Sequence, residues 1–346
     1  MEKKDFYDLI RSVPKAELHL HAEAVIRSST IKELYHHSTG MTMDEKKLEK
    51  IFDYEDLPGF LESFLYIQSL YNTSDELLFM FKDFKSYLNE NNIVYTETFF
   101  SPTMHVKKGR KYEDMVKIIQ KSVDSVAKED HRTIKVLIDV SRSFGKENAM
   151  NNLDALLKYR EPCIIGIGLG GDEAKGKATE FTEVYAKARE NGLHTVVHAG
   201  EVCPSQSIKD SIDYLKAERI GHGISAAFDQ DMMDYLKKTQ LPLEISPTSN
   251  VFTKKYVKDI KDHPIKKLYD NGVNITLATD DPVFFKVNLL DEYWNLYDKL
   301  GFKLEEIKEI LLNGFRDAFI TDEEKEAYIA QANEAWDKWF KENPSN

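Results

Sequence analysis

Four short runs carry the residue types that bind metals or move protons. They are Glu17-Leu18-His19-Leu20-His21, Val196-Val197-His198-Ala199-Gly200-Glu201, Arg219-Ile220-Gly221-His222-Gly223 and Thr276-Leu277-Ala278-Thr279-Asp280-Asp281-Pro282. His19 and His21 stand two apart. On a strand that spacing puts both imidazoles on one face, where they can share an ion. His198 and Asp280 close two further apolar runs. Three imidazoles and a carboxylate suit Zn²⁺, with water in the remaining position. One ion per chain is expected on His19, His21, His198 and Asp280.

Glu201 follows His198 through Ala199 and Gly200. The glycine lets the backbone bend so that the carboxyl can swing back to the site. Burial would raise its pKa and suit it to general-acid work, whereas a solvated loop glutamate would do nothing. His222, between two glycines, reads either as a site residue or as a core histidine bonded to backbone. Asp281 beside Asp280 is a pair of like charges, which needs a cation or donors to hold it. His36, His37, His105, His131, His194 and His263 take the plain reading of structural or surface histidines. His194 shares a strand face with His198 but lies near the other end, as a barrel-interior residue.

These ends meet only if their strands lie side by side and run the same way. Eight apolar segments read as strands: Ala16–His21, Ile93–Phe100, Ile134–Val140, Cys163–Leu169, His194–His198, Arg219–His222, Leu241–Ser246 and Asn274–Thr279. Between most of them lie Lys/Glu-rich stretches with apolar residues at three-and-four spacing, as in Tyr112 to Ala127, Phe181 to Glu190 and Ser207 to Ala217. Strand–helix alternation argues for a parallel sheet, and eight repeats argue for closure into a (β/α)8 TIM barrel with its site at the mouth. Residues 1–346 are expected to form one domain. Residues 22–92, rich in aromatic and aliphatic side chains, interrupt the rhythm after the first strand. Because they leave the strand with the His pair, they are expected as a helical insertion forming a lid or pocket wall, rather than helices packed outside. Thr321 to Phe340 reads as a C-terminal helix docked through Trp336 and Trp339.

The 346 residues are 42% hydrophobic, enough for a sizeable core. Asp and Glu total 59 against 47 Lys and Arg, a formal charge of −12. Such a surface repels phosphate backbones, so nucleic acid is not an expected partner. The two cysteines, Cys163 and Cys203, make no disulfide framework. The opening residues do not read as a signal peptide. No apolar run approaches the roughly 20 residues of a membrane span. A cytoplasmic location without membrane contact is expected.

Pro14-Lys15-Ala16-Glu17-Leu18-His19-Leu20-His21, Gly170-Gly171-Asp172-Glu173, His198-Ala199-Gly200-Glu201, Gly221-His222-Gly223, Ser246-Pro247-Thr248-Ser249-Asn250 and Thr279-Asp280-Asp281-Pro282 form an ordered set. That set resembles the adenosine deaminase family, from about Phe6 to about Ala318. The resemblance implies a barrel with one catalytic zinc on His19, His21, His198 and Asp280. Glu201 would protonate the purine at N1. His222 would orient the attacking water and take its proton. Asp281 would accept a hydrogen bond from that water and meet the base. Substrate would be bound by His21, Glu23, Asp281 and the backbone of Gly171.

One departure stands out. Many members carry Leu-Asp-Gly after the second histidine; here the run is Ala22-Glu23-Ala24. The acidic residue faces the ribose 5′ end in the family, and members acting on free adenine or aminodeoxyfutalosine carry Glu followed by Gly. The resemblance therefore implies hydrolytic deamination of adenosine or 2′-deoxyadenosine to inosine or 2′-deoxyinosine. The alternatives are another 6-aminopurine (adenine or aminodeoxyfutalosine), or a catalytically silent purine-binding protein. No Cys-x-x-Cys is present, which sets aside the zinc deaminases of RNA and DNA bases.

Overall fold

The structure is a computed structural model that describes residues 1–344. Its sheet has eight strands in chain order: β1 (Lys15–His21), β2 (Ile93–Phe100), β3 (Thr133–Asp139), β4 (Ile164–Gly168), β5 (His194–Ala199), β6 (Arg219–His222), β7 (Leu243–Ile245) and β8 (Ile275–Leu277). Every neighbouring pair is parallel. Each strand lies within two residues of its sequence expectation at both ends. The ring closes just past the end of β8. Asp280 N donates to His19 O at 3.2 Å and His21 N donates to Asp280 O at 3.0 Å. Barrel closure therefore fixes, through backbone bonds, three residues expected to hold the metal.

Helices cover the outside of the ring. The helix Tyr112–Asp130 buries Met115, Val116, Ile119, Val123 and Val126, the three-and-four stripe its sequence shows. Ser207 to Ala217, expected as one helix, is split: an α-helical turn over Gln206–Asp210 runs into a π-helical turn over Ser211–Leu215. The last helix, Asp322–Glu342, starts at a Thr321/Glu324 capping box and buries Trp336 and Trp339 as expected.

The insertion folds as helices Ser28–Thr39, Glu45–Ile51, Leu57–Leu70 and Leu77–Asn91, with short 3₁₀ turns. Asp56 caps Leu57–Leu70 by accepting from Gly59 N at 2.9 Å. That helix turns Phe60 and Phe64 toward Phe284 and Phe285, beyond β8. Ring centroids lie 5.1 Å apart for Phe60–Phe285 and 5.3 Å for Phe60–Phe284. Such pairs contribute about 0.5–1.5 kcal/mol each beyond their area burial. They bind the insertion to the mouth of the barrel. No described helix is long and apolar enough to cross a membrane.

Candidate metal centre and active site

Strand ends deliver the site. His21 is the last residue of β1, His198 the penultimate of β5 and His222 the last of β6; Asp280 follows β8. His222 and Asp280 both have positive φ, 64° and 66°, a left-handed backbone that non-glycine residues adopt at a cost. The turn aims both side chains inward over the barrel axis. Beneath them, Phe99 packs its ring 5.0 Å from that of His19 and 5.1 Å from that of His21.

The four residues expected to hold the metal do converge. Nε2 of His21 lies 3.2 Å from Nε2 of His198 and 3.3 Å from Oδ1 of Asp280. Nε2 of His19 lies 3.4 Å from the same oxygen. All four residues are buried. His19 Nε2 and Asp280 Oδ1 have no hydrogen-bond partner. Buried polar atoms without partners are costly, and here they face a common point. Two compact donor groups share Asp280: His19, His198, His222 and Asp280, and His21, Asp280 and Asp281. Soft nitrogen donors with a carboxylate suit Zn²⁺ or a similar divalent ion. The residues present therefore fit a metal.

A supporting layer holds these donors. His19 Nδ1 donates to Glu244 Oε2 at 2.7 Å, which leaves Nε2 for the ion. Arg219 Nε donates to Glu244 Oε1 at 2.6 Å, and its Nη2 donates to Glu97. Ser249 Oγ donates to Asp280 Oδ2 at 2.7 Å. Burial would raise Asp280, but the close imidazoles of His19, His21 and His222 hold it well below the usual carboxylate range. Burial and the Asp280 charge push Asp281 up. Burial and the neighbouring imidazoles push His198 down, keeping it neutral as a ligand must be.

Gly200 makes the bend expected before Glu201. Its φ is +68°, and a Cβ there would lie 2.5 Å from Ser225 Oγ. The loop is held by Glu173, whose carboxylate accepts from the backbone N–H groups of Gly200, Glu201, Val202 and Cys203 at 2.6–3.1 Å. Glu201 is thereby presented to the site, its Oε2 3.6 Å from His222 Nε2. Burial, then the charges of Asp280 and Glu173, push its carboxyl up to about 8. The carboxyl is protonated at neutral pH, as a general acid requires.

Above the cluster is a cavity of about 80 Å³, lined on the metal side by His21, His198, Glu201, His222, Asp280 and Asp281. The insertion closes it with Leu57, Phe60, Leu61, Phe64, Leu65 and Gln68. Gly171 lines the cavity with φ +91°, and a Cβ would meet Ser143 Oγ at 2.5 Å, so only glycine presents its backbone there without strain. No lysine or arginine among the described residues lines the cavity.

Glu23 is not among the lining residues. It stands behind the wall, where Oε1 accepts from Ser101 N at 2.7 Å and Gln68 Nε2 at 3.0 Å. Ala24 lies in the turn Ala22–Val25 without a positive φ, so alanine is accommodated where the family has glycine. His194 differs from its expected interior place. As the first residue of β5 it reaches the barrel floor, where its side chain is 40% exposed, stacked 3.9 Å from Phe319 and paired with Glu218. His105 is buried against Phe100 and Tyr71, away from the cavity lining.

Sequence reasoning gave no site role to Asp139, Glu173, Glu244, Gln68 or His263, although Glu173 stood in a quoted motif and His263 was read as structural. Asp139 lines the cavity and accepts from Ser141 N and Gly170 N, both at 2.8 Å. Glu244 did carry a signal: an acid between Leu243 and Ile245, inside an apolar strand, needs a buried partner.

Residues 14–335 match the family model described as adenosine deaminase. An adenine deaminase from Psychrobacter cryohalolentis is 30% identical over 331 residues, covering 95% of this chain and 99% of its own length. The crystal structure of an adenine deaminase from Arthrobacter aurescens superposes with a TM-score of 0.89 at 28% identity, over 94% of this chain and 99% of that one. The N6-methyl-AMP deaminase of Arabidopsis thaliana superposes with a TM-score of 0.81 at 26% identity, over 95% and 98% of the two chains.

Proposed function

The chain belongs to the adenosine deaminase family, and from that premise we propose that it hydrolyses the 6-amino group of adenine, releasing hypoxanthine and ammonia. The observation that carries the chemistry is the meeting of the His19, His21, His198 and Asp280 donors with the buried Glu201 carboxyl in one cavity. The free base, which the sequence alone ranks behind the nucleoside, moves ahead of it. The similar proteins from Psychrobacter cryohalolentis and Arthrobacter aurescens are adenine deaminases. The cavity is narrow and walled by the insertion. It also lacks a cation to meet a phosphate, which argues against a nucleotide substrate.

His19, His21, His198 and Asp280 would hold one Zn²⁺. When bound, such an ion acts as a Lewis acid and makes a water nucleophilic at neutral pH. The side chains supply the rest. Glu201 donates its proton to the ring nitrogen beside the carbon under attack, so that nitrogen can accept the C=N π pair displaced as the new C–O bond forms. A carboxylate of the site carries the water's proton to the amino group, the C–N bond breaks, and the group leaves as ammonia. One water is consumed, its oxygen staying on the ring carbon. His222 Nε2 and Asp280 Oδ2, 3.8 Å apart, border the space where the nucleophile must stand. The Gly171 backbone and Asp281 meet the base. Leu57–Leu70 closes over the ring and keeps bulk water out.

A spectroscopic deamination assay over adenine, adenosine, 2′-deoxyadenosine, methylthioadenosine, aminodeoxyfutalosine and AMP tests this reading. Adenine should show the highest kcat/KM. A nucleoside processed as well as adenine would return the chain to the nucleoside reading. No turnover of any compound by the zinc-loaded protein would leave the silent purine-binding protein.

A further inference from the structure

Behind His222 runs a buried chain of hydrogen bonds that starts at a backbone amide. Ile265 N donates to His263 Nδ1 at 3.1 Å. His263 Nε2 lies 3.1 Å from Asn250 Oδ1. Asn250 Nδ2 lies 3.1 Å from His222 Nδ1. All three side chains are buried, with Asn250 wholly inaccessible.

The direction of every bond follows from the first. An amide N–H can only donate, so His263 Nδ1 must carry a lone pair. The one ring proton of His263 is then on Nε2, and it can only be accepted by an oxygen. That fixes the Asn250 side chain with Oδ1 toward His263 and Nδ2 toward His222. The Asn250 amide donates, so His222 Nδ1 must accept. A proton there would face the amide hydrogens. The proton of His222 is therefore on Nε2, the nitrogen 3.6 Å from Glu201 Oε2 and 3.8 Å from Asp280 Oδ2. Burial, with the nearby His222, pushes the His263 imidazole down to about 3, which accords with its neutral form.

We propose that His263 and Asn250 are positioning residues that lock His222 as its Nε2–H tautomer and hold that N–H toward the space where the nucleophile must stand. A nitrogen that already holds a proton has no lone pair in reach of the water. His222 then steers a lone pair of the nucleophile toward the ring carbon, and the water's proton goes to Asp280, whose Oδ2 borders the same space. The role rests on the deaminase reading; the tautomer itself does not.

The test separates the two. In protein with histidine labelled by ¹⁵N, loaded with zinc and without substrate, long-range ¹H–¹⁵N correlation reports which ring nitrogen carries the proton. The His222→Asn spectrum assigns the signals. His222 should show a protonated Nε2 and an unprotonated Nδ1. Asn250→Asp presents two acceptor oxygens, and should draw a proton to His222 Nδ1 and lower kcat by about 100-fold, with zinc stoichiometry unchanged and KM little altered. His263→Ala frees the Asn250 amide to turn and should lower kcat in the same direction. His263→Gln, whose amide nitrogen can still donate to Oδ1, should restore most of the loss. A proton on Nδ1 in the unaltered protein overturns the proposal. So does Asn250→Asp with unchanged tautomer and kcat. If the tautomer is as stated but no purine is deaminated, the relay stands and only the substrate reading fails.

Discussion

Glu244 accepts a hydrogen bond from His19 at 2.7 Å, with both side chains shut off from solvent. Burial alone would raise Glu244, but Arg219 and His19 hold it below the usual carboxylate range. The carboxylate fixes a proton on His19 Nδ1 and turns Nε2 toward the point the other donors face. Glu244→Gln should keep the shape and weaken that hold, lowering metal affinity by about 10–100-fold. Competition with a chelator measures it, and an unchanged affinity would remove Glu244 from the metal site. His19→Ala and Asp280→Ala should go further and bring zinc well below one per chain. Full stoichiometry in either variant would mean the ligand set is wrong.

Glu201→Gln should bind zinc normally and lose turnover by about 10²–10⁴-fold. An amide has no acidic proton to give, yet it can accept the same packing. The Glu173 carboxylate bonds to the backbone N–H groups of residues 200–203 and to Ser207 Oγ, not to the Glu201 side chain, so the loop should not move. Metal analysis beside steady-state kinetics separates the effects. Near-normal kcat with full zinc would end the general-acid role.

The barrel was legible because each strand is a short apolar run bounded by polar helix, and because strand order in a parallel barrel is chain order. The candidate site was legible where its residues stand at or just past strand ends, at His19, His21, His198, Glu201 and Asp280. What stayed hidden acts across strands. Glu173 clamps a loop that begins beyond β5. Asn250 and His263 reach His222 from segments that follow β7. Ser249 and Asn250 were visible as a motif, but a motif does not reveal which atom each side chain meets. Glu23 shows the same limit: its charge was apparent, while its place behind Gln68 and Ser101 depends on how the insertion folds.

Glu23 now invites a revised expectation. Its Oε1 gathers Ser101 N and Gln68 Nε2, so it shapes the cavity wall and does not touch the lining side itself. Burial raises its carboxyl to about 6, partly offset by the bond from Ser101 N. Glu23→Asp, one methylene shorter, cannot reach both donors without moving the wall. KM for adenine should rise by roughly 10-fold, the loss of about one hydrogen bond of net 1.5 kcal/mol. The relative rates on base and nucleoside should shift with it. An unchanged substrate profile would show that this bracket does not shape the pocket.

Glu292 gives a pH signature independent of the metal. It is fully buried, accepting from Thr248 N at 2.8 Å and Asn295 Nδ2 at 3.1 Å. Burial outweighs those bonds and raises its pKa from 4.5 to about 7. Between these values the folded chain keeps a proton that the unfolded chain has released. Unfolding then releases protons, so stability falls as pH rises through that window. Below it both states are protonated and the effect vanishes. The full difference is on the order of 3 kcal/mol at the alkaline end. Glu292→Gln is neutral at every pH, and Asn295 can turn its amide to meet it. Thermal melts of the two proteins should therefore diverge with rising pH, the variant gaining on the unaltered protein. Parallel curves across the window would show that Glu292 does not hold its proton in the folded state.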